Sequence, residues 1–324
     1  MTSRILTVAS VALVAAIGWS GLAAAQVYPD RPVKVFVPYA AGGNTDAIAR
    51  LAGQHLSEAL GQQFVIENRG GASGAIAVET VARAPADGYT LLVMALPQAA
   101  VLPAITKVKY DTVADFAPVS NIGFNSFILT VHPSLPVKTP SELVAYVKGS
   151  KDKLTYASGG PATHANLSMV LFLKRTGLDV APVHLRGGSE LLNNVMAGHI
   201  PMGFLNASDV FQQAAAGTVR PLGVATKDRV PQLPDLPTMI ESGYEDFVVV
   251  TWNGVVAPAN TPPAIIDKLS AELQKAVRSP KIAERLSAIG VTSIGDTPKA
   301  FAETIKSDIK IWGDIVREAG LQEK

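Results

Sequence analysis

The sequence predicts a two-lobed α/β fold. Each lobe is a mostly parallel sheet flanked by helices, and two crossing strands join the lobes. Three observations carry this. Short apolar runs alternate with segments of helical period from residue 33 onward, the pattern of strands covered by helices on both faces. Two extended stretches, 118–127 and 243–252, interrupt that alternation. The length, 324 residues, suits about two domains, yet no repeat, low-complexity tract or Gly/Ser linker separates them. The expected division is 1–25 as a leader, 26–123 with 250–324 as lobe I, and 124–249 as lobe II. A chain that leaves one lobe and returns has two crossings, and therefore a hinge and a cleft.

The leader comes first. Arg4 precedes an apolar run over 5–22, followed by Ala23-Ala24-Ala25-Gln26. That is a secretory signal cut after Ala25. A membrane anchor fits less well, because Ser10, Gly18 and Ser20 interrupt the run and a span needs ~20 apolar residues. No Cys follows the small residues, which excludes a lipid-anchored start. Removing Arg4 leaves 27 basic against 27 acidic residues. A nucleic-acid binder would show a basic excess, so that class is excluded. Zero cysteines excludes disulfides, thiolate metal sites and Cys nucleophiles. No later stretch reaches membrane length, so a periplasmic, exported, soluble chain is expected.

The elements follow in order. Residues 33–39 carry Val33, Val35 and Val37 and form the first strand. Ile48, Leu51, Ala52, His55, Leu56 and Ala59 keep helical spacing up to Gly61. Residues 64–67 and 89–95 are strands around a helix over 73–84, and Asp87-Gly88 supplies the second turn. After the first crossing, 127–131 is a strand, and Thr139-Pro140-Ser141-Glu142 is a capping box opening a helix to Val147. Strands at 154–157, 180–185, 202–205 and 222–225 alternate with helices at 163–175, 190–197 and 209–216. A long strand over 247–257 returns the chain. Helices then run from Thr261-Pro262-Pro263 to Val277 and over 298–318.

Enzyme chemistry is sparse. There is no Walker loop, GxGxxG, HExxH or EF-hand spacing. The five histidines (His55, His132, His164, His184, His199) show no metal-ligand spacing, so no metal or cofactor is expected. Gly71-Ala72-Ser73-Gly74-Ala75 approaches a nucleophile elbow but lacks the final Gly. Ser73 reads better as a helix cap.

Two Gly-rich loops stand between a strand and a helix. One is Pro38-Tyr39-Ala40-Ala41-Gly42-Gly43-Asn44-Thr45-Asp46, the other Ser158-Gly159-Gly160-Pro161-Ala162-Thr163-His164. Each places free N–H groups at a helix N-terminus, whose partial positive charge suits an anion, particularly a carboxylate. Neither contains Lys or Arg, so donors are amides and the hydroxyls of Thr45, Ser158 and Thr163. One such loop alone is more often a tight turn. Two, one per lobe, point to a ligand, because α/β sheets bind at the carboxyl ends of strands. Asp46 either complements the helix dipole, the favoured role, or accepts a ligand amine. A third loop, Leu185-Arg186-Gly187-Gly188-Ser189-Glu190, has the same form. Arg186 either reaches a second carboxylate or is solvated. Trp252 is read equally as cleft wall or core.

At these residues the mature chain resembles the Bug family of extracytoplasmic receptors of tripartite tricarboxylate transporters. The resemblance starts at Tyr28-Pro29-Asp30-Arg31-Pro32-Val33 and includes the first loop and Glu67-Asn68-Arg69-Gly70-Gly71-Ala72-Ser73-Gly74. Its most specific segments are Pro85-Ala86-Asp87-Gly88-Tyr89-Thr90-Leu91-Leu92 and Trp252-Asn253-Gly254 through Ala257-Pro258-Ala259-Asn260-Thr261-Pro262. It implies a type II periplasmic-binding fold, with a small carboxylated solute held between the lobes by the loops at 39–45 and 158–164, with bridging waters. Tyr39, Pro97, Gln98 and Trp252 are expected to line the cleft. The sequence departs from the family pattern at Ala162, Asn166, Val170 and Leu185, departures that correspond either to altered selectivity or to a changed affinity.

The function expected is capture of a mono- or dicarboxylic acid, amino acids and aromatic acids included, by hinge closure. The transient partners would be the membrane subunits of a tripartite transporter, and the receptor a monomer. A receptor docking to a sensor kinase would use the same cleft. A periplasmic hydrolase would need a nucleophile–base pair, which the sequence does not display.

Overall fold

In the computed structural model, residues 28–185, 187–318 and 320–322 are described. The leader read at 1–25 lies outside them, as does Arg186. The chain divides at Asp30, and the unit from Arg31 onward carries every element below.

The strands are β1 (Val33–Val37), β2 (Phe64–Asn68), β3 (Thr90–Ala95), β4 (Phe116–Val131) and β5 (Thr155–Ser158). They continue with β6 (Ala181–His184), β7 (Met202–Asn206), β8 (Arg220–Val224), β9 (Val250–Pro258) and β10 (Val291–Ser293). They pair in the order β2-β1-β3-β9-β4-β7-β5-β6, with β8 and β10 also on β4. β1 pairs β2 and β3 in parallel, and β5 pairs β6 and β7 in parallel. The sheet is mixed, because the two crossing strands run in opposite directions. The chain goes out along β4 and comes back along β9, and the two pair antiparallel from Phe116↔Pro258 to Ser126↔Val250. β4 is 16 residues long and takes in the extended crossing read at 118–127.

Local chemistry explains most elements. Leu91–Ala95 is buried on both faces as an apolar run in a central strand. The helix Asn44–Leu60 ends on Gly61, left-handed at φ 74°, a conformation glycine adopts without strain. Thr139 caps the helix as read, with Glu142 N donating to Thr139 Oγ1 at 3.1 Å, while the Glu142 carboxylate reaches one residue past the cap and accepts Lys138 N at 2.6 Å. Four elements were not foreseen: the helical turn Pro97–Val101, the short helix Leu102–Ile105, the helix Pro280–Ala288 and the three-residue β10. Ser73 is not a helix cap. It sits in the left-handed region at φ 54°, and Gly74 precedes the helix Ala75–Ala82 with no side-chain capping bond.

The core is continuous. Val78, Val81 and Leu92 pack on the β1–β3 side, and Phe172, Phe204 and Phe247 on the β5–β7 side. Among the described residues, no helix is long and apolar enough to cross a membrane.

Candidate functional site

The first Gly-rich loop leaves the carboxyl end of β1. Ala40, Ala41 and Gly42 are exposed, and Gly43 and Asn44 half-buried. Gly42 has φ +87°, which its lack of a Cβ allows, and its N–H donates to Asp46 Oδ2 at 2.9 Å. The same oxygen accepts Arg50 Nε at 3.0 Å. Burial works to raise the Asp46 pKa, but the bonds from Arg50 and Gly42 outweigh it and hold the carboxyl below its ordinary value. Asp46 is thus engaged by its own helix, in line with its dipole role, while its Oδ1 has no partner among the described residues.

Tyr39 and Gln98 meet beside this loop. Gln98 Nε2 donates to Tyr39 Oη at 2.9 Å and to the Ser73 carbonyl at 2.8 Å. Burial pushes the Tyr39 pKa up to about 12, tempered by the Gln98 bond, so the phenol stays a donor. Gln98 is 1% exposed and its Oε1 lacks a partner among the described residues. Pro97 is buried at the start of the turn that presents Gln98.

The second loop leaves β5. Ser158 Oγ donates to Asn166 Oδ1 at 3.0 Å and accepts Gly160 N at 3.1 Å. His184 Nδ1 lies 2.9 Å from the same hydroxyl. Thr163 caps the helix His164–Thr176, accepting Asn166 N at 3.4 Å. Asn166 also accepts from Tyr156 Oη and donates to the Pro161 carbonyl. Asn166, one of the departures from the family pattern, is therefore the brace of this loop. Gly159 packs against Thr163 too closely for a free Cβ, Gly160 takes φ +114°, and Ala162 is buried.

Both loops approach a common neighbour, the segment 67–74. A methyl group at Gly160 would sit 3.8 Å from Ser73 Oγ, and one at Gly70 would sit 3.6 Å from Ala40 N. Asn44 Nδ2 donates to Ser208 Oγ at 3.2 Å and to the Ile289 carbonyl at 2.9 Å. Beneath them runs a chain of side-chain bonds. Thr45 Oγ1 donates to Asn253 Oδ1 at 2.8 Å, Asn253 Nδ2 to Asn125 Oδ1 at 2.9 Å, and Asn125 Nδ2 to Asn206 Oδ1 at 2.7 Å. Beyond it, burial raises the Asp209 pKa against bonds from Ser208 and Asn206. Ser73, Asn125, Asn206, Ser208 and Asn253 were not singled out as site residues. Asn253 lies in a largely apolar strand and Asn206 ends one, which was the available signal, whereas Asn125 lies in a stretch of β4 already rich in polar residues.

Two expected site residues lie elsewhere. His164 points into the core, 1% exposed, stacked on Phe127 at 6.0 Å and edge-on to Trp312 at 4.8 Å. Burial lowers its pKa to about 3, leaving it neutral. Trp252 is a core residue, 4% exposed, its Nε1 donating to Asp308 Oδ2 at 2.6 Å and its ring edge-on to Phe301. Successive strand residues face opposite sides, so Asn253 faces the loops and Trp252 the other face. In the third loop, Leu185 N donates to the Ser158 carbonyl at 2.7 Å.

A sheet crossed twice by the chain, with glycine loops at its strand ends, is the architecture of ligand-binding receptors of the periplasmic type. Residues 48–321 match the model of the tripartite tricarboxylate transporter family receptor, and the chain belongs to that family. It is similar to BugT of Bordetella pertussis, 32% identical over 99% of both chains. Among solved structures it resembles Rpa4515 of Rhodopseudomonas palustris with adipate, at 33% identity and TM-score 0.87, covering 90% of this chain and 98% of that one. It also resembles MatC of the same organism with bound malate, at 31% identity and TM-score 0.84, covering 89% of this chain and 100% of that one.

Proposed function

We propose that this chain is a periplasmic receptor that captures a small carboxylate in a cleft between two lobes and presents it to the membrane subunits of a tripartite transporter. Lobe I is 26–123 with 250–324, and lobe II is 124–249. One observation carries the reading most. The helix-start loops after β1 and β5 both border the segment 67–74, Ala40 beside Gly70 and Gly160 beside Ser73, and neither contains a cation. Near the first loop Arg50 is already bonded to Asp46 and Asn68, and Arg69 lies over the Phe36 ring. A bound carboxylate would be held by backbone N–H groups at the two helix starts, where the dipoles favour negative charge. The adipate and malate of the two relatives support a carboxylate guest. Tyr39, Gln98 and Thr163 would line the site. A ligand touching both loops gains its full contacts only when they are close, so binding favours closure.

The test is a thermal-shift screen of refolded residues 26–324 against mono-, di- and tricarboxylates, amino acids and aromatic acids. A ligand at ~100 times its Kd adds about 2.7 kcal/mol, which is several degrees in Tm. A carboxylate hit that Thr45→Val or Thr163→Val weakens supports the reading. No shift with any acid overturns it.

A further inference from the structure

A cavity of about 660 Å³ lies behind the crossing strands, away from the loops. That size falls in the range of small-molecule sites. Strand alternation separates it from the cleft. Trp252 and Phe124 are cross-strand partners and both line the cavity, while their neighbours Asn253 and Asn125 carry the amide chain on the loop side.

The rest of its wall is largely apolar, with Leu96, Leu167, Trp312 and Ile315. Three of the large apolar residues left exposed surround it: Ile311 at 49%, Val248 at 43% and Ile294 at 39%. The polar groups it presents are mostly acceptors. Asn121 is 2% exposed, lines the cavity, and leaves Oδ1 without a hydrogen-bond partner among the described residues. A buried acceptor without a donor is costly and marks where a donor from a ligand belongs. Asp296 and Asp308 line the same space, with Asp246 at its edge. Burial raises the pKa of Asp296 and of Asp308, against bonds from the Asn121 backbone N–H and the Trp252 indole. The lining cation, Arg175, is committed to the Glu245 carbonyl and lies 5.4 Å from the Phe247 ring centroid. Carboxylates therefore outnumber guanidinium, and an anion would meet acceptors. An ammonium group would meet an orphaned carbonyl, carboxylates and indole rings, all of which favour it.

We propose that this cavity is a second binding site, for a small organic ammonium ion with an apolar or aromatic body. It is distinct in place and in charge preference from the carboxylate cleft and does not depend on the cleft being filled.

Both tryptophans beyond residue 25 of the sequence, Trp252 and Trp312, line the cavity, so intrinsic fluorescence reports on it directly. Residues 26–324 would be titrated with 2-phenylethylammonium, neutral 2-phenylethanol and 3-phenylpropanoate. The expected result is a saturable fluorescence change with the ammonium, with both other probes at least about tenfold weaker. Asp308→Asn keeps an acceptor for the Trp252 indole but removes the charge, and should weaken the ammonium about tenfold or more. Leu171→Phe narrows the cavity without touching that bond and should weaken it too, which guards against a folding defect in the first variant. The proposal is overturned by a flat ammonium titration, by an equal response to 3-phenylpropanoate, or by undiminished binding in both variants. A failed carboxylate screen would leave this result untouched, so the two readings fail separately.

Discussion

Asn253 on β9 donates its side-chain amide to Asn125 on β4 at 2.9 Å, across the two strands that cross the molecule. Each asparagine has a further partner, Thr45 at the start of the first loop's helix and Asn206 at the end of β7. The bond therefore sits midway along a line from the first Gly-rich loop to the elements around the second. Its members are buried or half-buried, so each depends on the next for its hydrogen bonds.

Asn253→Leu strands the Thr45 hydroxyl and the Asn125 carbonyl. Each orphaned buried group costs about 1–3 kcal/mol. Denaturant unfolding should show a loss in that range. The double variant with Asn125→Leu should lose less than the sum of the two singles, because the second change removes a group already orphaned. Strict additivity would show that the chain is not coupled.

Gly254 tests the opposite face of β9. A Cβ there would overlap the Phe301 ring, which is fully buried. Gly254→Ala should destabilise by about 1–3 kcal/mol through overpacking. Adding Phe301→Leu should recover part of that loss, as read from Tm.

His164 makes stability depend on pH. Its folded pKa, about 3, is depressed by burial below the unfolded value of 6.5, so the unfolded chain takes up the proton first. The stability it allows is present above pH 6.5 and is lost as pH falls toward 3, at up to about 1.4 kcal/mol per pH unit. His164→Phe keeps a ring between Phe127 and Trp312 and should flatten that part of the profile. A variant with the same acid slope as the parent would contradict the buried neutral imidazole.

Asn166 should be more than a helix-turn residue. It joins Tyr156, Ser158 and Pro161 through its amide. Asn166→Ala should cost about 1–3 kcal/mol and weaken any carboxylate found by the screen. Asn166→Asp should rescue only the accepting bonds, because it has no N–H for the Pro161 carbonyl. Equal affinity in parent and Ala variant would remove the loop brace from the binding account.

Local physics made much of this protein legible in its sequence. The Val33–Val37 strand, the Thr139 capping box, the Gly61 and Gly177 helix stops and the final helix from Pro298 each rest on residues close together in the chain, and periodicity and capping read such distances well. The two Gly-rich loops were legible for the same reason, because a strand, a glycine turn and a helix start are neighbours in sequence.

Tertiary structure alone decided which way side chains face and what they meet. His164 looked like a loop residue and is a core residue, because the first turn of its helix aims it at Phe127 and Trp312. Trp252 and Asn253 are adjacent, and nothing local says which faces the Gly-rich loops. That depended on the pairing of β9 with β4 and on Asp308, 56 residues away, being there to accept the indole. The side-chain hydrogen bonds running from Thr45 to Asn206 join residues as far as 208 positions apart in sequence. Their partners are set by strand register, which arises only when the whole sheet has formed.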